Sequence, residues 1–125
     1  MIGVCEALNL GEALGVDPIV LANVMNTSTA KSWSTDVCIP HPAVAANMKE
    51  TTGVTPPAAR NYEGGFGTSL MLKDLGLAVS AGAEAGVALP LGAVSKELYR
   101  MADLRGLGKK DFGVMLQFLR GNEVL

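Results

Sequence analysis

Two adjacent ionisable residues, Lys73 and Asp74, lie in the most apolar part of this chain. They are the only ionisable side chains between Glu63 and Glu84, and the residues around them are small or apolar. A segment of this composition is expected to be buried on nearly all sides, yet an isolated buried charge costs several kcal/mol. The pair therefore either occupies a narrow exposed stripe or faces a cleft in which it meets a charged or polar group.

A glycine-rich run precedes the pair and predicts a close approach of the backbone. Gly65-Phe66-Gly67 begins like a dinucleotide-binding fingerprint, but Leu70 stands at the third glycine position and no strand precedes the run. We expect these glycines to let the backbone pass close to another element, or to a ligand, at the start of a long helix.

The remaining residues that could do chemistry make no complete catalytic set. His41 is the only histidine, and no Cys, Asp or Glu lies at ligand spacing around it, so we predict a surface histidine and no metal site. No serine stands in a Gly-x-Ser-x-Gly setting, which excludes a hydrolase triad. Trp33 is the only tryptophan. A helical core position is its first interpretation, and the wall of a pocket is the second.

The composition limits the classes of protein to which the chain can belong. Its 125 residues suffice for one domain, 49% of them are apolar, 18% are charged, and the net charge is −2. We therefore expect no binding of nucleic acid or of an anionic membrane. The stretch from Gly64 to Ala83 is the longest with so few charges, but Lys73 and Asp74 lie at its centre, so no bilayer span is predicted. Cys5 and Cys38 form no disulfide framework, which fits a reducing compartment.

Helical periodicity runs through the chain, and no segment alternates like a strand. The sequence predicts helices over 1–14, 19–25, 29–37, 67–85 and 91–105, and a last short helix that Asp111 caps. Asp17 is expected to cap the second helix, and Val94 and Met101 are expected on the apolar face of the fifth. Residues 40–65 contain four prolines and are predicted to form a long connection without a regular element. The first helix has no N-cap, which favours a start inside a longer helix. The predicted fold is a single all-α, bundle-like domain of about six helices over residues 1–125.

One long motif resembles the cofactor end of the 3-hydroxyisobutyrate dehydrogenases, a branch of the β-hydroxyacid dehydrogenase family. It runs from Asn61-Tyr62-Glu63-Gly64-Gly65-Phe66-Gly67 through Lys73-Asp74-Leu75-Gly76 to Ala78. The resemblance extends over the whole chain, from the helix that contains Glu6-Ala7-Leu8-Asn9 to the closing Gln117-Phe118-Leu119-Arg120. The Lys-Asp-Leu-Gly segment alone indicates the wider group, and the combination indicates the 3-hydroxyisobutyrate branch.

The resemblance implies the C-terminal helical domain of such an enzyme, similar to the corresponding domains of 6-phosphogluconate and 3-hydroxyisobutyrate dehydrogenases. The family's Rossmann domain and its acid–base lysine have no counterpart in this sequence, so we expect no catalytic residue here and no activity of the chain alone. The implied reaction is the NAD-dependent oxidation of 3-hydroxyisobutyrate to methylmalonate semialdehyde in valine catabolism. The implied setting is a homo-oligomer, in the mitochondrial matrix of a eukaryote or otherwise in the cytoplasm.

The same resemblance assigns roles to individual residues. Lys73 is the position that contacts the cofactor NAD, and Asp74 lies beside it at the substrate pocket. An ammonium group at a cleft can hold a ribose hydroxyl or a phosphate oxygen, or it can orient a substrate carboxylate. Phe66 and Trp33 match aromatic positions on the substrate side. The chain departs from the family pattern at Cys38, where related enzymes often have Tyr, and its connection between Trp33 and Lys73 is longer than usual.

Alternatives remain open at this point. Within the family, a sister reductase of small semialdehydes or glyoxylate would show the same motifs. Outside enzymes, the chain could serve as a helical dimerisation module without catalysis. The choice between NAD and NADP is also open, because the residue that reads the ribose belongs to the Rossmann domain of the family.

Overall fold

Seven α-helices form most of residues 1–122, the part of the chain that the computed structural model describes. They are α1 (Ile2–Ala13), α2 (Pro18–Asn26), α3 (Trp33–Asp36), α4 (Pro42–Thr52), α5 (Thr68–Ala85), α6 (Pro90–Ala102) and α7 (Met115–Arg120). Two 3₁₀ turns (Pro57–Arg60 and Phe112–Val114) and one π-helical turn (Asp103–Leu107) complete the regular structure. These described residues contain no strand, only an isolated β-bridge between Gly67 and Asp111. The all-α prediction is confirmed, with one helix more than expected.

Local signals placed several helix boundaries correctly. The carboxylate of Asp17 accepts hydrogen bonds from the N–H groups of Ile19 at 2.8 Å and Val20 at 3.0 Å, as expected of an N-cap. α5 ends at Ala85, where Gly86 adopts the left-handed conformation with a φ of 69°. These interactions lie within a few residues of each other, so the sequence alone was sufficient to predict them.

The third helix is shorter than predicted and does not bury its tryptophan. α3 begins only at Trp33, because the N–H of Ser32 donates to Oγ1 of Thr35 at 2.9 Å and fixes the first turn. The side chain that enters the core is that of Thr35, whereas Trp33 is 60% exposed. The prediction of a core position for Trp33 is therefore wrong.

The predicted long connection contains a helix, so that prediction is wrong as well. Pro42 occupies the first turn of α4, where a missing N–H costs nothing, and Gly53 ends the helix with a φ of 77°. Val44 and Ala45 bury the inner face of α4. The prolines here start helices and turns instead of preventing them, which is why their density was misleading.

His41 is also placed differently from its prediction as a surface residue. It is the N-cap position of α4 and is only 5% exposed. Its ring reaches Glu12 on α1, with Nε2 lying 3.4 Å from Oε2 of that residue. The burial follows from the packing of α4 against neighbouring helices, and this long-range contact has no counterpart in the local sequence.

α5 is the longest helix and is far more exposed than its composition predicts. Within α5 only Thr68 and Gly82 are buried, and the helix packs chiefly against α6. Leu70 and Leu77 point away from the core, and Leu77 is 64% exposed. The expectation of burial on nearly all sides is therefore wrong for this chain by itself.

α6 shows the same discrepancy. Tyr99 and Ala102 are its buried residues, whereas Val94 and Met101, which the sequence assigns to a packed face, are exposed. Together α5 and α6 present a largely apolar surface that no other described part of the chain covers. An apolar area of this kind is typical of a surface that meets a partner.

The hydrophobic core is formed by the other helices together with the inner faces of α5 and α6. α1 packs against α2 and α7, and the Pro57–Arg60 turn packs against α4. The largest fully buried apolar side chains are Tyr62, Leu8, Ile39, Met115, Leu116 and Val114. Among residues 1–122, no helix combines the length and the apolar character needed to cross a membrane.

Candidate functional site

Lys73 and Asp74 form an ion pair on the surface of α5. Nζ of Lys73 lies 3.0 Å from Oδ1 of Asp74, and the two side chains are 62% and 50% exposed. Neither makes another ion pair or hydrogen bond within residues 1–122. The exposed stripe is thus the correct interpretation for this chain alone, and a cleft at this pair would need a wall from outside the described residues.

The ion pair is a weak tether for the lysine. Consecutive residues of a helix do not face each other, so Lys73 must bend towards its neighbour to make the contact. An exposed pair of this kind contributes about 0–1 kcal/mol. Lys73 can therefore turn to a ligand at little cost, and Asp74 remains beside it as a second polar group.

The glycine-rich run passes against a neighbouring segment of the chain, as predicted. Gly65 has a φ of 78°, and a Cβ atom there would overlap Oδ2 of Asp111 and lie 2.8 Å from Cγ of Pro57. Only glycine fits this position, both for its backbone conformation and for its space. Of the two alternatives predicted, an element and a ligand, the structure shows the element.

Backbone hydrogen bonds join the start of α5 to residues 108–110, which precede the last helical segment. The N–H of Thr68 donates to the carbonyl of Lys110 at 2.9 Å, and the N–H of Ser69 donates to the carbonyl of Gly108 at 3.0 Å. The first amides of a helix can bind a phosphate only while they are free. Because these two amides are already satisfied, the α5 start is not a phosphate cradle, which agrees with the incomplete fingerprint in the sequence.

Phe66 is held by its backbone and by its ring. Its N–H donates to Oδ2 of Asp111 at 2.9 Å, and its carbonyl accepts from the N–H of Phe112 at 2.8 Å. The rings of Phe66 and Phe112 make an edge-to-face contact, with centroids 6.1 Å apart and planes at 85°. Phe66 is partly exposed and lies two residues before the start of the helix that carries Lys73.

Asp111 makes more contacts than its predicted role as a helix cap requires. As predicted, it caps the last helical segment, accepting from the N–H of Gly113 at 2.9 Å. It also accepts from Phe66, and Sγ of Cys38 lies 3.9 Å from its Oδ1. Burial raises the pKa of the Asp111 carboxyl, and the donated N–H groups act in the opposite direction. Nothing in the neighbouring sequence, such as Lys109 and Lys110, predicts that Asp111 contacts Phe66 and Cys38.

A strained backbone segment precedes the glycines. Asn61 and Tyr62 both adopt left-handed conformations, with φ values of 53° and 59°. The hydroxyl of Tyr62 donates to the carbonyl of Pro40 at 2.8 Å and accepts from Nε2 of Gln117 at 3.0 Å. Such conformations cost about 1–3 kcal/mol each and persist where surrounding contacts enforce them. The two hydrogen bonds of the Tyr62 hydroxyl are among the contacts that hold this segment.

The structure brings together some of the predicted site residues and leaves one apart. Lys73 and Asp74 are paired, and Phe66 lies at the entrance to their helix. Trp33 belongs to a different segment, and within residues 1–122 no hydrogen bond, ion pair or ring contact joins it to the other three. The described residues also contain no group of three or more His, Cys, Asp or Glu that could hold a metal ion.

The helical fold, and the glycine-rich run that precedes the helix of Lys73, are those expected of the helical domain of the β-hydroxyacid dehydrogenase class. A family model described as "NAD-binding of NADP-dependent 3-hydroxyisobutyrate dehydrogenase" matches residues 1–119, and the chain belongs to this family. The resemblance stated from the motifs is thereby confirmed, and so is NAD as the cofactor that the family binds.

Individual relatives agree with this assignment. The chain is 44% identical over 123 residues to the human mitochondrial 3-hydroxyisobutyrate dehydrogenase, matching 98% of this chain and 34% of that protein. It is 39% identical over 115 residues to an NAD-dependent L-serine dehydrogenase of Pseudomonas aeruginosa, matching 92% of this chain and 36% of the relative. The chain thus spans about a third of the length of these curated relatives and matches their C-terminal part.

A solved structure shows the same architecture. The 3-hydroxyisobutyrate dehydrogenase of Mycobacterium tuberculosis, described with L-serine, superposes with a TM-score of 0.83 at 32% identity. The superposition covers 95% of this chain and 38% of that one. The order and packing of the helices described above are therefore those of this family.

Proposed function

We propose that this chain is the part of an NAD-dependent 3-hydroxyisobutyrate dehydrogenase that closes the site where the cofactor and the hydroxy acid meet. The observation that carries the proposal is Lys73, an exposed ammonium held only by its neighbour in sequence, in a chain of this family. A lysine so weakly tethered is suited to a ligand bound between this domain and another part of the protein.

The residues of this chain offer the cofactor one side-chain contact, and they form no backbone cradle for its pyrophosphate at the start of α5. The ammonium of Lys73 can donate to a ribose hydroxyl or a phosphate oxygen. The first amides of α5 are engaged by Gly108 and Lys110 and cannot bind phosphate. When bound, NAD supplies the hydride acceptor for the oxidation of the alcohol. Lys73 would hold the cofactor at this site, and the rest of the cofactor would be bound elsewhere in the protein.

The substrate side of the proposed site consists of Asp74, Phe66 and Trp33. Both aromatic rings are solvent-accessible. Hydrogen bonds hold the backbone of each segment, with Trp33 in the capped turn of α3 and Phe66 just before the start of α5. We propose that these rings and the Lys73 ammonium meet one substrate, a short apolar acid, because apolar rings exclude water and an ammonium group can orient a carboxylate.

L-Serine is the second candidate substrate. One relative is named an L-serine dehydrogenase, and the solved relative is described with L-serine. Serine and 3-hydroxyisobutyrate both have a hydroxymethyl group on the carbon that carries the carboxylate. On that carbon serine has an ammonium group where 3-hydroxyisobutyrate has a methyl group.

The proposal also covers the oligomeric state of the protein, a homo-oligomer, and its location in the cell. The exposed apolar surface of α5 and α6 supports burial against a second copy of the protein or another part of it. Eukaryotic relatives are named mitochondrial, which supports a mitochondrial location if the source is a eukaryote.

The test is turnover by the whole protein that contains these residues. Purified protein is given NAD with 3-hydroxyisobutyrate or with L-serine, and NADH formation is followed by absorbance. We expect turnover of both acids, with the higher kcat/KM for 3-hydroxyisobutyrate. No turnover of either acid would contradict the proposal, and a clear preference for L-serine would replace the first substrate by the second.

A further inference from the structure

We propose that Asp111 is the positioning residue of the substrate side, because its buried carboxylate contacts both segments that present the aromatic rings. This inference rests on the proposed function, which places Phe66 and Trp33 beside the substrate. Asp111 itself is only 2% exposed and touches no ligand, so it would act through the residues that it holds.

The first segment is the glycine-rich run. Oδ2 of Asp111 accepts the N–H of Phe66 at 2.9 Å, and the next residue, Phe112, donates its own N–H to the carbonyl of Phe66 at 2.8 Å. The ring of Phe112 meets the ring of Phe66 edge to face. The backbone and the ring of Phe66 are thus both fixed by two consecutive residues that follow it by 45 and 46 positions in sequence.

The second segment carries the tryptophan. Sγ of Cys38 lies 3.9 Å from Oδ1 of Asp111, and the thiol is the donor in this contact. The N–H of Cys38 in turn donates to the carbonyl of Trp33 at 3.1 Å. One carboxylate therefore links the turn behind Trp33 to the backbone of Phe66. The cysteine that departs from the family pattern is one of its three donors.

The carboxylate is suited to this role by its burial. Two backbone N–H groups and one thiol converge on its two oxygens. Hydrogen bonds to an ionised acceptor are stronger than those to a neutral one, and buried donors that lose their partner pay the cost of desolvation. Removing the charge or displacing the side chain should therefore shift both segments, whereas the helix of Lys73 keeps its other anchors at Gly108 and Lys110.

A matched pair of glycine substitutions tests the inference. Gly65→Ala pushes a methyl group into Oδ2 of Asp111 at a φ of 78°. Gly64→Ala imposes the same kind of backbone strain at a φ of 68°, but its methyl group lies 3.4 Å from Nη2 of Arg60 and does not meet Asp111. Gly65→Ala also brings its methyl group to 2.8 Å from Cγ of Pro57, and Asp111→Asn, which leaves that contact unchanged, isolates the part that the carboxylate plays.

Steady-state kinetics of the whole protein give the readout. We expect Gly65→Ala to raise KM for the hydroxy acid about fivefold or more while KM for NAD stays within about twofold, and Gly64→Ala to leave both within about twofold. Asp111→Asn should repeat the selective rise in KM. The double variant Asp111→Asn, Phe66→Leu should have a KM for the hydroxy acid within about twofold of that of Phe66→Leu alone, because both changes act on the same ring. Equal KM values for the two glycine variants, or a rise that affects NAD equally, would overturn the inference.

Hydrogen exchange of the Phe66 amide separates this inference from the proposed function. The amide should be protected in the parent and should exchange faster in Asp111→Asn. If the parent turns over neither acid, the proposed function fails and the substrate-side role fails with it, whereas the exchange experiment still shows whether Asp111 holds the Phe66 segment. An unprotected Phe66 amide in the parent, or unchanged protection in the variant, would overturn it whatever the activity.

Discussion

The imidazole of His41 lies 3.4 Å from the carboxylate of Glu12, measured from Nε2 to Oε2, and this contact joins the start of α4 to α1. Arg120 from α7 reaches the same carboxylate oxygen, and its Nε donates to Oδ1 of Asn9 at 3.3 Å. Three helices therefore meet at Glu12. Burial lowers the pKa of His41 below 6.5, although its contact with Glu12 acts in the opposite direction.

This cluster predicts a specific loss of stability in mild acid. A histidine whose pKa is lower in the folded state binds fewer protons there than in the unfolded state, so the free energy of unfolding falls as the pH drops below about 6.5. Urea unfolding of the parent and of His41→Gln at a pH of about 7.5 and about 5.5 measures the effect, since most carboxylates titrate below that range. The variant should show the smaller difference between the two conditions. An unchanged difference would contradict the assignment of this pH dependence to His41.

Both cysteines should be unreactive in the native protein. Cys5 and Cys38 are buried, and burial raises the pKa of each thiol to about 12. Since the thiolate is the nucleophile, we expect almost no reaction with a disulfide reagent at a pH of about 8 before unfolding, and two thiols per chain after it. A native thiol that reacts as fast as free cysteine would contradict the described burial.

The apolar surface of α5 and α6 predicts self-association. Leu77 and Leu91 are exposed members of this surface, and a charge there should oppose burial against a partner. Sedimentation of the chain at tens of micromolar, roughly the range that populates a modest interface, should show a dimer or larger species. Leu77→Glu should shift it towards the monomer, and Val54→Glu, outside both helices, should not. A parent that sediments as a clean monomer would contradict the proposal of a homo-oligomer.

The 125-residue chain alone should not catalyse the reaction. Its proposed site residues bind and orient, and the family resemblance assigns the acid–base lysine to a part of the enzyme that this chain does not match. Purified chain mixed with NAD and 3-hydroxyisobutyrate is therefore expected to form no NADH above a protein-free control. Measurable turnover would show that a catalytic group lies among residues that we assign to binding alone.

What the sequence could predict depends on how far apart the interacting residues are. The cap at Asp17 and the one at Asp111 were predicted because each carboxylate meets an amide two or three residues away. The predicted helix over 67–85 likewise agrees with α5, which begins at Thr68 and contains Lys73. The contact of Asp111 with Phe66 spans 45 residues, and no local pattern indicates it.

The errors have an equally physical origin. Pro42 indicated a loop, although proline at a first helical turn favours a helix. The apolar composition of α5 indicated burial, but composition does not say whether the covering surface belongs to the same chain. Trp33 was assigned to the core because it is large and apolar, whereas the smaller Thr35 occupies the inner face of that short helix.

The central claim is that Lys73 binds a ligand in addition to forming a surface ion pair with Asp74. In the whole protein, Lys73→Ala should lower kcat/KM with NAD and 3-hydroxyisobutyrate. A lost charge-assisted contact is worth roughly 1.5–3 kcal/mol, or about 10- to 100-fold in catalytic efficiency. Lys109→Ala is the matched control, because that lysine is exposed, whereas the side chain of Lys96 is only 24% exposed and pairs with Glu97 at 3.4 Å.

The decisive measurement is the ratio of kcat/KM between the Lys73→Ala protein and the parent, with folding of both checked by circular dichroism. Our account predicts a loss of about tenfold or more for Lys73→Ala and a change within about twofold for Lys109→Ala. If Lys73→Ala stays within about twofold of the parent, Lys73 is a surface residue neutralised by Asp74, and the assignment of the site to this end of α5 is wrong.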